Sequence, residues 1–476
     1  MHRCNKCDIE FRKKKTLEQH IQYIHKSVSP SIKKILILGG GFAGINILQD
    51  ILKEFQNNVN VEISLVNQDN FFLFTPMLPE VASGMIHPSD ISVPIRTFCK
   101  RAKFYQAVVS TIDLEQRLVT ITRTFDGKVH ALEYDYLIFA LGSKTNFFGN
   151  KNLEKHSFTI KTIEDAIGIR NHAINMLENA AQTGDPDLQQ KLMTFTVVGG
   201  GFAGVETIGA INHFVRDAAA STYPNINKEK INMILISSEK RILPEINKKL
   251  ALSAMRYLKK VSVKIITATK AIDADEDYVL LDNGEKIPCT TLIWAGGVSV
   301  DPVISEIKCE HDSSGKIKVD KYLKVACFTN VFALGDCASI IDKTTGKPYP
   351  PTAQHAMHQS KVVSNNLKVA INGKGSLVSF SYSSKGWMAS IGKRTALVSI
   401  FGKNVEGILA WFIWRTYYLI QMPTFEKRVK VATDWLVDLF FKRDLTCVGK
   451  IKKKTLSKID VKDEMPTLKE LLFPDL

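Results

Sequence analysis

The hexapeptide GGGFAG occurs twice in this chain of 476 residues, at 39–44 and again at 199–204. Each copy follows a short apolar run, KKILIL before the first and TFTVV before the second. A helix-like stretch and then a further apolar run, VEISLV or INMILI, come after each turn. Apolar runs of strand length around a glycine turn and a helix indicate a βαβ unit. The chain uses this unit twice, which predicts an α/β fold.

The glycine spacing predicts what each unit binds. In a βαβ unit the first glycine makes the tight turn, the second lets the backbone approach a pyrophosphate, and the third allows the helix to pack on the strand. These positions are Gly39, Gly41 and Gly44 in the first copy and Gly199, Gly201 and Gly204 in the second. A glycine-rich turn that binds nothing is the alternative, and the repetition in the same context weighs against it. We therefore expect two Rossmann-like dinucleotide-binding domains, one for a resident FAD and one for a visiting NADH or NADPH.

Composition narrows the class of protein. The net charge of +15 favours an anionic partner, either nucleic acid or a membrane surface, and charge alone does not choose between them. Only two of the eight cysteines form a close pair, which predicts a reducing compartment without a disulfide framework. We expect no signal peptide, and no apolar run is long enough to cross a membrane.

The motif FALGDCA at 332–338 makes the chain similar to the flavoproteins with two dinucleotide-binding domains. In that family the aspartate of the Gly-Asp pair, here Asp336, bonds the ribityl chain of the flavin; the alternative is an aspartate that caps a helix. Asn67 and Ser237 stand where an acidic residue is expected to bond ribose hydroxyls. Asn67 can still bond a ribose. Ser237, with Lys240 and Arg241 nearby, leaves the choice between NADH and NADPH open.

Several stretches resemble the type II NADH dehydrogenases, which are single-subunit, non-pumping NADH:quinone oxidoreductases. The resemblance runs from about residue 32 to 448. It is carried by NFFLFTPMLPEVASG (70–84), YDYLIFALGSKTNFFG (134–149), LIWAGGV (292–298), PPTAQHAMHQ (350–359) and FEKRVKVATDWLVDLFFKRD (425–444). It implies that FAD takes a hydride from the nicotinamide and passes two electrons to a membrane quinone.

The resemblance also implies roles for single residues. Thr75 and Pro76 are expected along the isoalloxazine ring and Gly142 near the flavin. Glu206 matches a glutamate close to the nicotinamide and flavin, although an ion-paired helix residue is the alternative. The remaining matches are Ala353, Gln354 and Gln359 of the quinone motif, with Gln354 nearest the quinone, and Lys385 at the pyrimidine edge of the flavin.

Three other functions are compatible with a two-dinucleotide flavoprotein: a disulfide reductase, a sulfide:quinone reductase and a redox sensor. A disulfide reductase of this superfamily needs a redox-active cysteine pair, and none stands between Cys99 and Cys337. A sulfide:quinone reductase also needs well-placed cysteines, and the stretch 100–288 has none. It remains an alternative, as does a redox-sensing flavoprotein that binds nucleic acid.

The carboxyl-terminal region, 371–476, is predicted to associate with a membrane. The segment 425–444 places Val429, Ala432, Trp435, Leu436, Leu439 and Phe440 at helical spacing on one face, with lysines and arginines around them. An amphipathic helix with basic flanks lies in the headgroup plane of an anionic membrane. An ordinary core or dimer helix is the alternative. We also expect a homodimer, which could use the same surface. We expect a peripheral protein on the cytoplasmic side of the cell membrane.

The first 26 residues depart from the family. Cys4, Cys7, His20 and His25 have the spacing of a Cys2His2 zinc site, which predicts a small ββα zinc finger with a nucleic-acid or protein partner. The sequence thus predicts a finger at 1–26, a linker at 27–31, and an FAD domain at 32–145 and 290–370. It predicts an NAD(P)H domain at 146–289 and the membrane region after it.

Overall fold

A computed structural model of the chain describes residues 2–3, 10–16, 32–384 and 386–447. Within these ranges the strands are β1 His2–Arg3, β2 Glu10–Phe11, β3 Lys33–Leu38, β4 Val61–Asn67, β5 Phe71–Leu73, β6 Ser92–Pro94, β7 Lys103–Asp113, β8 Leu118–Arg123, β9 Val129–Glu133, β10 Tyr136–Phe139, β11 Lys144–Thr145, β12 Phe158–Thr159, β13 Thr194–Val198, β14 Asn232–Ile236, β15 Val263–Ile266, β16 Ala271–Ala274, β17 Tyr278–Leu281, β18 Lys286–Pro288, β19 Thr291–Trp294, β20 Val298–Ser299, β21 Ile317–Lys318, β22 Val331–Ala333, β23 Ala338–Ser339, β24 Gly386–Gly392, β25 Thr395–Ile400 and β26 Lys403–Gly407. The α-helices in the same ranges are α1 Phe42–Glu54, α2 Leu78–Ala82, α3 Lys151–His156, α4 Ile163–Gln182, α5 Pro186–Leu192, α6 Phe202–Thr222, α7 Lys248–Lys260, α8 Pro302–Ser305, α9 Ala353–Asn372, α10 Ile408–Gln421 and α11 Phe425–Phe440.

The chain divides into two compact units. The first comprises Met1–Leu73, Ser92–Lys144 and Val298–Ser384, and the second comprises Phe74–Ile91, Thr145–Gly297 and Lys385–Leu476. Each unit contains one copy of the glycine turn. The domain boundaries drawn from the sequence stay a prediction.

A seven-stranded sheet organises the first unit, in the order β22-β10-β3-β4-β7-β8-β9. The strands from β22 to β7 run parallel, and β7, β8 and β9 form an antiparallel meander. The last four residues of β3, Ile35 to Leu38, are at most 2% exposed. Such a continuous buried run is typical of a parallel strand that is covered on both faces.

The second unit has a five-stranded parallel sheet in the order β12-β19-β13-β14-β15. Two antiparallel three-stranded sheets, β16-β17-β18 and β24-β25-β26, belong to the same unit. Helices α10 and α11 follow the last strand. No helix among the described residues is long and apolar enough to cross a membrane.

Both glycine turns lie where the order of the strands reverses. From β3 the chain passes through α1 to β4 on one side, while β10 pairs with the other side of β3. In the same way β13 leads through α6 to β14, and β19 pairs on its other side. A crevice opens outside the carboxyl ends of parallel strands at such a reversal. The predicted pair of βαβ units is confirmed, and each turn opens onto a crevice of this kind.

The glycines are required by close contacts. Gly39 and Gly199 have φ of +105° and +124°, and a Cβ there would lie 2.2 Å from the Ala140 carbonyl oxygen and 2.3 Å from the Ala295 carbonyl oxygen, respectively. A Cβ on Gly204 would lie 1.9 Å from the carbonyl oxygen of Gly199, so α6 can approach the strand end only without a side chain there. By contrast, a Cβ on Gly201 would meet nothing closer than 4.0 Å.

The different surroundings of Gly204 and Gly201 allow a matched pair of substitutions. Gly204→Ala is expected to lower the free energy of unfolding by about 1–3 kcal/mol, because the new methyl group collides with backbone that cannot move aside. Gly201→Ala should change it much less. Urea denaturation without nicotinamide checks both variants, and equal stabilities for the two would contradict the contact argument.

Candidate active site

In the first unit the glycine turn meets the strand that follows it. The Gly40 N–H donates to Asn67 Oδ1 at 2.7 Å, and Asn67 Nδ2 donates to the Asp69 carbonyl oxygen at 2.9 Å. Asn67 is the last residue of β4, so its amide fixes the turn onto the neighbouring strand end. A Cβ on Gly41, at the start of α1, would meet no atom within 4 Å, so the space before the helix N-terminus is open.

The Gly-Asp motif lies beside this turn. A Cβ on Gly335 would be 3.7 Å from Ala43 of α1 and 3.9 Å from Ala356 of α9. The next residue, Asp336, accepts a hydrogen bond from Ser143 Oγ at 2.6 Å. The structure therefore brings Asp336 to the amino-terminal end of α1, near the predicted phosphate site.

The two glutamines of α9 have different surroundings. Gln359 is buried, and its Oε1 accepts the Gly335 N–H at 2.8 Å, so it holds the turn that carries Asp336. Gln354, in the first turn of the helix after Ala353, is half-buried. Of the two, Gln359 therefore already has a protein partner, the backbone N–H of Gly335. Sequence reasoning had no signal for this difference.

The second glycine turn repeats the geometry of the first. Ser237 directly follows β14 and is 1% exposed, and a Cβ on Gly200 would lie 2.3 Å from its Oγ. The sequence allowed Arg241 to be a free cation near this site. The structure shows that its guanidinium group is instead bonded within its own loop. Its guanidinium donates to the carbonyl oxygens of Leu243, Pro244 and Ile246 at 2.7–3.3 Å.

Glu206 lies on α6, one turn from the second glycine motif, and keeps partial exposure. Its Oε1 accepts the Ser390 N–H of β24 at 2.9 Å. Burial of the carboxyl group raises the pKa of Glu206 to about 8, and the charge of Glu80 raises it further, against the Ser390 hydrogen bond. Burial therefore favours the protonated form of this carboxyl group, and the role expected for Glu206 stays a prediction.

A second buried carboxyl group was missed by the sequence reasoning. Glu80 on α2 is 5% exposed, and Trp435 Nε1 of α11 donates to its Oε2 at 2.8 Å. Arg415 of α10 is also buried, with its guanidinium carbon 3.8 Å from the ring centre of Trp411 and 4.5 Å from that of Trp435. Burial raises the pKa of Glu80 to about 7, although the Arg415 charge opposes the shift. We call Glu80, Arg415, Trp411 and Trp435 the buried charge cluster.

The buried charge cluster explains one departure from the sequence prediction. Trp435, expected on the apolar face offered to a membrane, is 5% exposed because it covers Glu80 and Arg415. Other residues of the same helix stay exposed, among them Val429, Leu436 and Phe440.

The other predicted residues divide between the units. Gly142 belongs to the first unit, where a Cβ on it would meet no atom within 4 Å. Thr75 and Pro76 begin a short 3₁₀ turn before α2 in the second unit.

Five predicted residues, Lys385 and the zinc ligands Cys4, Cys7, His20 and His25, lie outside the described residues. Among the residues that are described, no group of three histidine, cysteine or acidic side chains could hold a metal ion.

Two buried cysteines, Cys337 and Cys289, are not suited to redox chemistry. Cys337 is fully buried and its Sγ lies 3.3 Å from the Leu334 carbonyl oxygen. Burial raises the pKa of both Cys337 and Cys289 to about 11. The thiolate is the reactive form of cysteine, so these thiols are inert at neutral pH.

Residues 33–360 match the family described as pyridine nucleotide-disulphide oxidoreductase, and residues 384–444 match the NDH2 C-terminal domain. A probable NADH dehydrogenase from Dictyostelium discoideum is 30% identical over 425 residues, which are 87% of this chain and 91% of that protein. The chain belongs to the type II NADH dehydrogenase family. Ndh of Mycobacterium tuberculosis, a type II NADH:quinone oxidoreductase, is 28% identical over 86% of this chain and 88% of its own length. Among solved structures, NDH2 from Plasmodium falciparum in complex with NADH shares the fold, with a TM-score of 0.81 and 22% identity over 87% of this chain and all of that one.

The buried carboxyl groups of this family member give a pH prediction. The folded-state pKa of Glu80, about 7, exceeds the ordinary value of 4.5. The folded state therefore binds the extra proton, and the free energy of unfolding falls as the pH rises through this window. Glu80→Gln should reduce the loss of stability between pH 5 and pH 8 by on the order of 1–3 kcal/mol relative to the wild type.

Urea denaturation at the two pH values measures this difference. Glu276→Gln, which changes an exposed glutamate of the same unit, is the matched control and should keep the wild-type pH dependence. If Glu80→Gln keeps it as well, Glu80 is not the titrating group.

Proposed function

We propose that this chain is a flavoprotein that oxidises NADH and reduces a membrane quinone without pumping protons. The observation that carries the proposal is the pair of equivalent glycine turns, each at a reversal of strand order, in a member of the type II NADH dehydrogenase family. It is an oxidoreductase in which one turn serves a resident dinucleotide and the other a visiting one.

The first unit fits FAD. Open space at Gly41 and Gly142 leaves room for a pyrophosphate at the start of α1, whose N–H groups favour an anion. Asp336 presents a carboxylate beside it for ribityl hydroxyls, with Ser143 fixing its orientation. Asn67 and Ala353 of this unit are proposed as further contacts. Thr75, Pro76 and Lys385 stay flavin contacts that the family resemblance predicts.

The second unit fits the nicotinamide dinucleotide. Gly199 and Gly204 shape the turn, and the absence of a side chain at Gly201 keeps the N-terminus of α6 accessible. FAD, when bound, would accept a hydride from this nucleotide and pass two electrons to a quinone. Glu206 holds a proton at its carboxyl group at neutral pH. We propose that it acts at the nicotinamide end of the site, and that Gln354 contacts the quinone.

Turnover of the purified full-length chain in detergent, with NADH and a soluble short-chain quinone, tests the proposal. Glu206→Gln should lower quinone-dependent turnover by about ten- to a hundredfold, because an amide cannot exchange a proton. Bound flavin should remain, and Glu276→Gln should match the wild type. An enzyme that oxidises no NADH with any quinone would overturn the function, and full activity in Glu206→Gln would remove this residue from it.

The sulfide:quinone alternative gains no support from Cys337 and Cys289, because burial raises the pKa of both thiols to about 11. The sensor alternative depends on the amino-terminal region alone. We therefore retain the NADH:quinone function as the main one.

We also propose that the carboxyl-terminal region binds the surface of an anionic membrane, as befits an enzyme with a lipid-soluble substrate. Large apolar side chains of α10 and α11 are exposed: Ile408, Leu409, Phe412, Ile420, Phe425, Val429, Leu436, Val437, Leu439 and Phe440. Exposed apolar area of this kind marks a protein–protein or membrane surface. A homodimer interface is the competing use, and the cytoplasmic side stays a prediction.

Co-sedimentation with vesicles separates these uses. A double variant with Leu436→Ser and Phe440→Ser should lose most of its binding to anionic vesicles, because two apolar anchors leave the interface. Phe125→Ser, at an equally exposed phenylalanine of the first unit, is the control and should bind like the wild type. Unchanged vesicle binding together with a lost dimer would assign the surface to self-association.

The amino-terminal segment is proposed as a zinc finger held by Cys4, Cys7, His20 and His25. Its described residues support a ββα order, because β1 pairs antiparallel with β2 and a helical turn follows at 14–16. Its partner is a nucleic acid or a protein. Metal analysis of the purified chain, with Cys7→Ser against Cys327→Ser, checks for one bound zinc that only Cys7→Ser loses.

A further inference from the structure

Ser237 and Asn67 hold equivalent positions in the two units. Asn67 ends β4 and Ser237 follows directly on β14, each beside the middle glycine of its turn. A Cβ on Gly40 would be 2.8 Å from Asn67 Cγ, and a Cβ on Gly200 would be 2.3 Å from Ser237 Oγ. This strand end is where a carboxylate bonds the adenosine ribose of NADH, and where a cation accommodates the 2′-phosphate of NADPH. In the second unit the position carries no charge.

The loop after Ser237 forms one wall of the second site. Ser237 Oγ accepts the Glu239 N–H at 3.3 Å, and the Leu243 N–H donates to the Gly200 carbonyl oxygen at 2.6 Å. The second of these bonds holds the far end of the loop against the glycine turn, while the first lies within the loop. Arg241 stabilises it from within, which leaves the exposed Lys240 as the cation of this loop that is available to a ligand.

We propose that the second site accepts NADPH about as readily as NADH, because a serine hydroxyl replaces the carboxylate that would repel a 2′-phosphate. A hydroxyl can bond either a ribose hydroxyl or a phosphate oxygen. A carboxylate facing a phosphate would impose a like-charge penalty on NADPH alone. This inference rests on the proposed function, since it concerns the nucleotide that the same site oxidises.

Two carboxylates, those of Glu245 and Glu239, lie near the turn, but neither restores discrimination between NADH and NADPH. Glu245 Oε1 lies 4.0 Å from the Cβ position at Gly201, on the pyrophosphate side of the turn. Both nucleotides carry the same pyrophosphate, so Glu245 affects them equally. Glu239 is exposed to solvent two residues beyond the strand end and is followed by Lys240, whose charge offsets it.

The test compares kcat/KM for NADH and NADPH, using the full-length, flavin-loaded chain in detergent with a soluble short-chain ubiquinone analogue. The NADH:NADPH ratio of the wild type is expected below about tenfold. Ser237→Glu should raise this ratio at least about tenfold, through the KM for NADPH. Ser238→Glu adds the same charge at the exposed neighbour and should raise the ratio by less than about threefold.

A wild-type ratio above about tenfold, or a ratio in Ser237→Glu no larger than in Ser238→Glu, overturns the inference. If Ser237→Glu does not fold, the shorter Ser237→Asp and the wild-type ratio decide the question. Anaerobic reduction of the flavin by each nucleotide shows whether only this inference fails or the proposed function fails as well. If NADH alone reduces it, the inference fails and the function stands; if neither nucleotide does, the proposed function fails.

Discussion

The structure depends on two close backbone–backbone contacts, which are possible only because glycine has no side chain. At Gly199 and Gly204, as at Gly39 and Gly44, a helix N-terminus approaches a strand end so closely that one added carbon would lie about 2 Å from a carbonyl oxygen. This contact points the N–H groups of α1 and α6 at the crevice outside each parallel sheet. Two anion-binding sites follow from the same constraint, and the electron-transfer chemistry requires both.

The second unit is constrained in another way, because it buries ionisable side chains. Glu80 and Arg415 lie among tryptophans that shield them from water, and one of these, Trp435, donates a hydrogen bond to the carboxyl group. Removing one partner from such a group is costly, whereas the intact set fixes relative positions. The cluster thereby connects α2 with α10 and α11, and these two helices keep several large apolar side chains exposed.

Two cysteines of this chain, Cys337 and Cys289, are buried, and burial raises the pKa of both thiols. What distinguishes this chain is polar and local. Asp336 lies beside the first turn, Glu206 follows the second turn by two residues with a pKa raised by burial, and Ser237 stands where a carboxylate is expected. Fold alone does not determine chemistry in such families. The side chains at the strand ends do.

The sequence by itself determined the repeated βαβ unit and the strand-end positions of Asn67 and Ser237, because glycine spacing and apolar runs act over a few residues. The family resemblance implied that Asp336 binds the flavin, and the structure brings it beside the first turn. The sequence did not predict that Gln359 supports a turn, that Arg241 holds its own loop, or that Trp435 faces inward. It also missed the pairing of Glu80 with Trp435, 355 residues apart. Such contacts depend on which surfaces packing brings together. Only the tertiary structure decides them, because burial and partner choice are properties of the assembled chain and not of a local pattern.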